Sequence, residues 1–146
     1  MGDIAIRPPT GDDASDMAAL MTALGYPASP DQMAVRLARL TDRADHQTLI
    51  ATDGGQVVGM VAGYLVPGLH DDAPVGQIIS LVVSETVRGR GVGRQLAAAI
   101  ETWFRTAGVS RVSVTSHLRR KDAHAFYQGI GYAQTGLRFG RTLDDG

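Results

Sequence analysis

The 146 residues predict a mixed α/β (α+β) domain with the element order β-α-α-β-β-β-α-β-α-β(β). Three observations lead there. The apolar period changes from helical to alternating at about His46. Asp53-Gly54-Gly55 separates two β-rich runs as a hairpin turn. Over 76–116 a buried-strand run, a glycine-rich turn, a long amphipathic stretch and a second strand follow one another, the layout of a strand–helix–strand crossover.

The first strand is "DIAIRP" (3–8), which alternates apolar and polar residues and stops at Pro8-Pro9. Thr10 with Asp13 reads as a capping box with Asp in place of Glu, and Met17, Leu20, Met21 and Leu24 recur at helical spacing up to Gly25. Ser29-Pro30-Asp31-Gln32 starts a second helix (30–40) with Met33, Leu37 and Leu40 on one side. "QTLIAT" and "QVVGMVAGYLV" form the hairpin, and a polar loop with Pro67, Asp71, Asp72 and Pro74 leads to "GQIISLVV" (76–83), a central strand. The stretch 92–108 is a helix with the stripe Leu96, Ile100 and Phe104. A strand at 109–116, a short helix at 122–132 ended by Gly129 or Gly131, and a last strand or pair over 133–143 complete the domain, taken as one over 1–146.

A hydrophobic content of 44% suits a single core at this length. Fourteen basic and fifteen acidic residues leave no broad basic field, which argues against nucleic acid or an anionic membrane as partner. The absence of cysteine excludes disulfides, thiolate metal sites and a Cys nucleophile. His46, His70, His117 and His124 lack metal-ligand spacing, so no metal is expected. The N-terminal residues have no leader layout and no apolar run reaches 18 residues, so the expectation is a soluble, cytoplasmic chain.

Chemistry concentrates in "VRGRGVGR" (87–94), between the central strand and the long helix. A helix N-terminus presents unpaired N–H groups and partial positive charge, and glycines let the backbone come close, so the loop suits a phosphate. A P-loop would close on Gly-Lys-Ser/Thr, but residues 92–95 are Val-Gly-Arg-Gln. A dinucleotide fingerprint needs glycine where Arg94 stands, and an acidic ribose partner at the next strand end, where Ser116-His117 stands instead.

Leu81-x-Val83, four residues, then Arg88-x-x-Gly91-x-Gly93 resembles the acetyl-CoA signature of the GNAT superfamily of N-acetyltransferases. A second segment, Ala123-His124-Ala125-Phe126-Tyr127-Gln128-Gly129-Ile130-Gly131-Tyr132, resembles that family's Ala-x-x-Phe/Leu-Tyr-x-x-x-Gly-Phe/Tyr run on the following helix. The element order is similar to the family's fold throughout. The resemblance implies acetyl-CoA as cofactor, held by the backbone of Leu81, Val82 and Val83 along its pantetheine arm. It implies that Arg88, Gly89, Arg90, Gly91, Val92, Gly93 and Arg94 surround its pyrophosphate. Arg120, with Arg119 as alternate, and His124 are further candidate contacts, and His117 is a candidate for the substrate.

By the same resemblance the Val83 N–H faces the thioester oxygen as an oxyanion donor. Tyr127 serves as general acid for the leaving thiolate and also touches the cofactor. Many family members carry Glu four residues before the Leu of Leu-x-Val; that position is Gln77, which cannot accept a proton, and Glu85 is the possible base. The acceptor is a primary amine on a small molecule or peptide, attacking directly in a ternary complex. Gln77 keeps open an alternative, a non-catalytic acetyl-CoA-binding module. A homodimer is possible by family habit.

Overall fold

The computed structural model describes residues 3–115 and 121–143, which fall into two compact units, Met1–Val114 and Thr115–Gly146. In the first, β1 (Ile4–Arg7) leads through a 3-10 turn (Gly11–Asp13) into α1 (Ala14–Ala23) and α2 (Pro30–Leu40). Then come β2 (His46–Asp53), β3 (Gln56–Val66), β4 (Val75–Val83), a 3-10 turn (Glu85–Val87), α3 (Val92–Thr106) and β5 (Val112–Val114). The second unit holds α4 (Lys121–Gly129). The strands lie in chain order in one sheet, antiparallel except for the parallel pair β4–β5. Among the described residues no helix is long and apolar enough to cross a membrane.

Both expected helix starts form. Ser29 Oγ accepts from the Gln32 N–H at 3.1 Å while Gln32 Oε1 accepts from the Ser29 N–H at 2.9 Å, with Pro30 as the first helical residue. At α1 the Asp13 carboxylate accepts from the Thr10 N–H at 2.7 Å and takes both Arg7 guanidinium nitrogens at 2.9 Å. Those bonds, the Arg7 pair first, hold the Asp13 carboxyl down at about 2 and pin the end of β1 to the start of α1.

Two layers cover the sheet. On one face α1 and α2 pack Met17, Leu20, Met33 and Leu37 against Ile50, Val57 and Met60, with Val82 at the margin. On the other face α3 lies close to β3 and β4, because three strand positions carry no side chain. A Cβ on Gly76 would stand 2.8 Å from the Phe104 ring, and one on Gly63 would stand 2.8 Å from Phe104 and 2.9 Å from Ile100. One on Gly59 would stand 2.9 Å from Leu96. Phe104, Ile100 and Leu96 are fully buried there, so the glycines set the helix-to-sheet distance.

Three boundaries differ from expectation. α3 ends at Thr106, and Val109 is drawn back onto it: its N–H donates to the Phe104 carbonyl at 3.0 Å and its side chain is buried. That leaves only Val112–Val114 for β5. The stretch 133–143 forms no strand among the described residues; Leu137, Phe139 and Leu143 alternate along it but stand exposed, and a strand exists only when paired. α4 stops at Gly129, one of the two ends expected, and Gly131 (φ 101°) turns the chain out. The Tyr132 N–H donates to the Tyr127 carbonyl at 2.9 Å and the Gly131 N–H to that of Gln128 at 3.2 Å, a Schellman closure.

Candidate active site

The site begins with a defect in β4. Ala62 of β3 pairs with Ser80 and Gly63 pairs with Ile78, so Ile79 is an extra residue, a β-bulge. Before the bulge, β4 pairs with β5 over Gly76–Ile78, and the Gly76 N–H donates to the Arg111 carbonyl at 3.0 Å. After it, β4 pairs with β3 alone among the described strands. Among the described residues the stretch 79–83 is therefore an open edge beginning where β5 stops at Val114.

The ladder decides which groups face that edge. The Ser84 N–H donates to the Val58 carbonyl at 2.8 Å. Along the same register Val82 with Met60 and Ser80 with Ala62 are then the pairs that exchange hydrogen bonds with β3. Leu81 and Val83 alternate with them and direct their N–H and C=O groups to the open edge. Val82 does not share in this: its backbone is spent on β3 and its side chain packs toward α1 and α2. Of the three residues expected along the pantetheine arm, Leu81 and Val83 have backbone groups turned to that edge and Val82 does not.

The edge runs directly into the glycine loop. Ser84 caps the 3-10 turn by accepting from the Thr86 N–H at 3.3 Å, and Val87 is buried beneath it. Gly91 takes a left-handed conformation (φ 77°) as the residue before α3, where any side chain would be strained. The first helical bond is Gln95 N–H to the Gly91 carbonyl at 3.0 Å, so the N–H groups of Val92, Gly93 and Arg94 point out of the helix end. Val92 is buried and anchors that end, while Arg94 is exposed. Pantetheine and pyrophosphate need these two features in continuity: an unpaired strand edge and a run of outward N–H groups. The residues present fit coenzyme A.

The other arginines stand differently. The Arg90 guanidinium donates to Asp53 Oδ2 at 2.9 Å in the β2–β3 turn, and its N–H donates to the Val87 carbonyl at 3.2 Å. Both side chains of that ion pair are largely covered, so Arg90 ties the loop to the sheet. Arg88 is exposed, 3.9 Å from the Glu85 carboxylate. Glu85 itself is 78% exposed in its 3-10 turn. Gln77 sits on β4 opposite Tyr64 and is half-buried.

In the second unit, Tyr127 and His124 are partly buried residues of α4. Tyr127 stands edge-on to Phe126 at 5.3 Å between ring centres and is tilted against Tyr132 at 5.9 Å. The Phe126-Tyr127…Gly131-Tyr132 spacing thus has a local physical reason: Gly131 turns the chain so that Tyr132 closes back on Tyr127. His117, Arg119 and Arg120 lie outside the described residues.

Sequence reasoning missed the Asp53 partner of Arg90, 37 residues away, and a row of polar side chains on the sheet, His46 with Tyr64 and Gln77. The alternation His46, Thr48, Ile50 was the available signal. It says that the three share a face, but not which strand lies beside them.

Comparison with known proteins places this architecture. The model of the acetyltransferase (GNAT) family matches residues 15–132. Aminoalkylphosphonate N-acetyltransferase of Salmonella typhimurium is 35% identical over 143 residues, covering 94% of this chain and 90% of that protein. Aminoglycoside N(6')-acetyltransferase type 1 of Stenotrophomonas maltophilia is 31% identical, covering 89% and 86%. Among solved structures, aminoglycoside N-acetyltransferase AAC(6')-Iy in complex with CoA superposes with a TM-score of 0.85 at 19% identity, covering 97% of this chain and 96% of that one. The chain belongs to the acetyltransferase (GNAT) family. It is an acetyl-CoA-dependent N-acetyltransferase.

Proposed function

We propose that this enzyme acetylates the primary amine of a small polar molecule by direct attack on the donor in a ternary complex. The observation that carries the reading is the unbroken run from the open β4 edge at Leu81 and Val83 to the outward N–H groups of Val92, Gly93 and Arg94. Bound there, acetyl-CoA supplies an activated acyl group on a thiolate leaving group. The Val83 N–H, free of β3, serves as the oxyanion donor, a fixed group where negative charge develops. Tyr127 gives its hydroxyl proton to the departing sulfur. The chain has no cysteine to carry an acetyl group, which supports direct transfer. Gln77 cannot act as a base and Glu85 lies out on a solvent-exposed turn, so the amine's proton passes to water. The aminoalkylphosphonate and aminoglycoside acetyltransferases, both named for small amines, support a small-molecule acceptor over a peptide.

Thiol release across a panel of amines, including aminoalkylphosphonates, aminoglycosides and a lysyl peptide, tests this directly. Small amines should give turnover and the peptide none; turnover confined to the peptide would overturn the acceptor class. In the same assay Tyr127→Phe should lower kcat about 100-fold, the low end of general-acid catalysis, with acetyl-CoA binding changed less than about twofold. Wild-type turnover in that variant removes Tyr127 from the acid role.

A further inference from the structure

Cross-strand partners share a face, so the register sorts the α1/α2 side of the sheet into rows. Ile50, Met60 and Val82 form one, and they belong to or border the core under α1 and α2. Thr48, Ala62 and Ser80 form the next, and His46, Tyr64 and Gln77 the last. Neither of these rows belongs to that core. The bulge at Ile79 lies beside them, between Gln77 and Ser80, where the open edge of β4 begins. The opposite face is filled at this level by α3, pressed onto Gly63 and Gly76. An acceptor reaching the β4 edge therefore comes over the polar rows.

His46 is the one member of those rows that is buried, 6% exposed. Among the described residues its ring has one hydrogen-bonding contact: Nε2 lies 2.6 Å from Thr48 Oγ1. Nδ1 is buried with no partner among the described residues. A buried orphan N–H is rarer than a buried orphan acceptor, which assigns the proton to Nε2 and leaves a lone pair on Nδ1. Burial, with the Arg43 charge adding to it, holds the ring below the usual histidine range and so neutral. The Tyr64 ring meets it edge-on, centres 4.6 Å apart, and Arg43 approaches the same Tyr64 ring at 5.9 Å. Tyr64 remains half-exposed beside Gln77. A neutral histidine that is buried, singly bonded and wedged behind a half-exposed tyrosine is a support for that tyrosine.

We infer that Tyr64 contacts the amine acceptor and that His46 is the positioning residue that holds the Tyr64 ring in place. The inference rests on the small-amine reading above. It adds that acceptor affinity is set on β2 and β3, away from the donor's loop. Tyr64 presents an aromatic face and a hydroxyl to the substrate, and His46 limits the ring to one orientation.

Steady-state kinetics on a turned-over amine from the panel, varying each substrate in turn, give the test. Tyr64→Ala should raise the amine KM about tenfold, the scale expected when one aromatic ring is removed from a binding surface, with the acetyl-CoA KM within about twofold. His46→Ala should raise the amine KM by a similar factor, and His46→Phe, which restores a ring against Tyr64, should recover most of it. Because His46 acts through Tyr64, the double variant should be no worse than Tyr64→Ala alone. Additive effects, an unchanged amine KM in Tyr64→Ala, or both KM values rising together would each overturn the inference while amine-dependent thiol release still stood. Should His46→Ala fail to fold, His46→Phe and Tyr64→Ala carry the same comparison.

Discussion

On β3 and β4, glycines stand where a Cβ has no room; in the loop before α3, Gly89 and Gly91 stand with nothing within 4 Å of where a Cβ would be. The first group sets a distance, holding α3 against the sheet through Phe104, Ile100 and Leu96. The second sets a direction, turning the chain so that the start of α3 offers its N–H groups outward. Substitution in the seat of α3 should therefore cost stability and spare donor binding, whereas substitution in the loop should do the reverse.

The largest effect is expected at Gly76. An alanine there meets three Phe104 ring atoms at 2.8–2.9 Å, and the ring is fully buried with nowhere to go. Gly76→Ala should destabilise by about 3 kcal/mol, the upper end for overpacking a tight core, read as a lower urea midpoint at constant m. The extra thermal stability conferred by saturating acetyl-CoA should remain as in the wild type. If that increment shrank in step with the stability, the seat and the loop would not be separable.

The two regions also differ in how far the sequence discloses them. The loop is local: Leu81-x-Val83, the glycines at 89, 91 and 93 and the helix behind them lie within one stretch, so the strand–turn–helix that offers outward N–H groups is readable in order. Helix starts at Ser29 and Thr10 are readable for the same reason, since a cap and its partner lie three residues apart. The seat is not local. Nothing near Gly63 or Gly76 says that Phe104 will cross above them, because only the closed sheet brings α3 to that place. The Ile79 bulge is hidden similarly: it sits inside an apolar run whose pattern it does not break, yet it separates the paired half of β4 from the open half. The shortened β5 follows from Val109 closing the end of α3, a competition between two local structures for one residue. Tyr127 was legible as a motif because Gly131 and Tyr132, which close on it, follow within five residues.

Gly91→Ala tests the other side of the comparison. Holding alanine at φ 77° costs about 1–2 kcal/mol, and a chain that relaxes from it re-aims the N–H groups behind it. Acetyl-CoA affinity should fall about tenfold, equivalent to about 1.4 kcal/mol, measured by titration calorimetry. Once acetyl-CoA is saturating, kcat on the amine should return to the wild-type value. A variant that lost stability and kept its full affinity would make Gly91 another packing glycine.

The smallest effect is expected at Asp53, and its sign is what informs. Arg90 was expected to reach the pyrophosphate, but its guanidinium is 2.9 Å from Asp53, with the two side chains 30% and 21% exposed. If Arg90 is a tether that keeps the loop in shape, Asp53→Asn loosens the loop and weakens acetyl-CoA binding about twofold, with about 0.5 kcal/mol of stability lost, the range of a partly exposed ion pair. If Arg90 is instead a phosphate ligand restrained by Asp53, the same substitution releases its charge and binding tightens. The geometry favours the tether: the Arg90 N–H is also engaged, donating to the Val87 carbonyl inside the turn, so backbone and side chain both fasten the loop. Calorimetry on Asp53→Asn at two salt concentrations separates the cases, since a freed phosphate-binding arginine tightens the complex chiefly at low salt, whereas a lost tether weakens it at both.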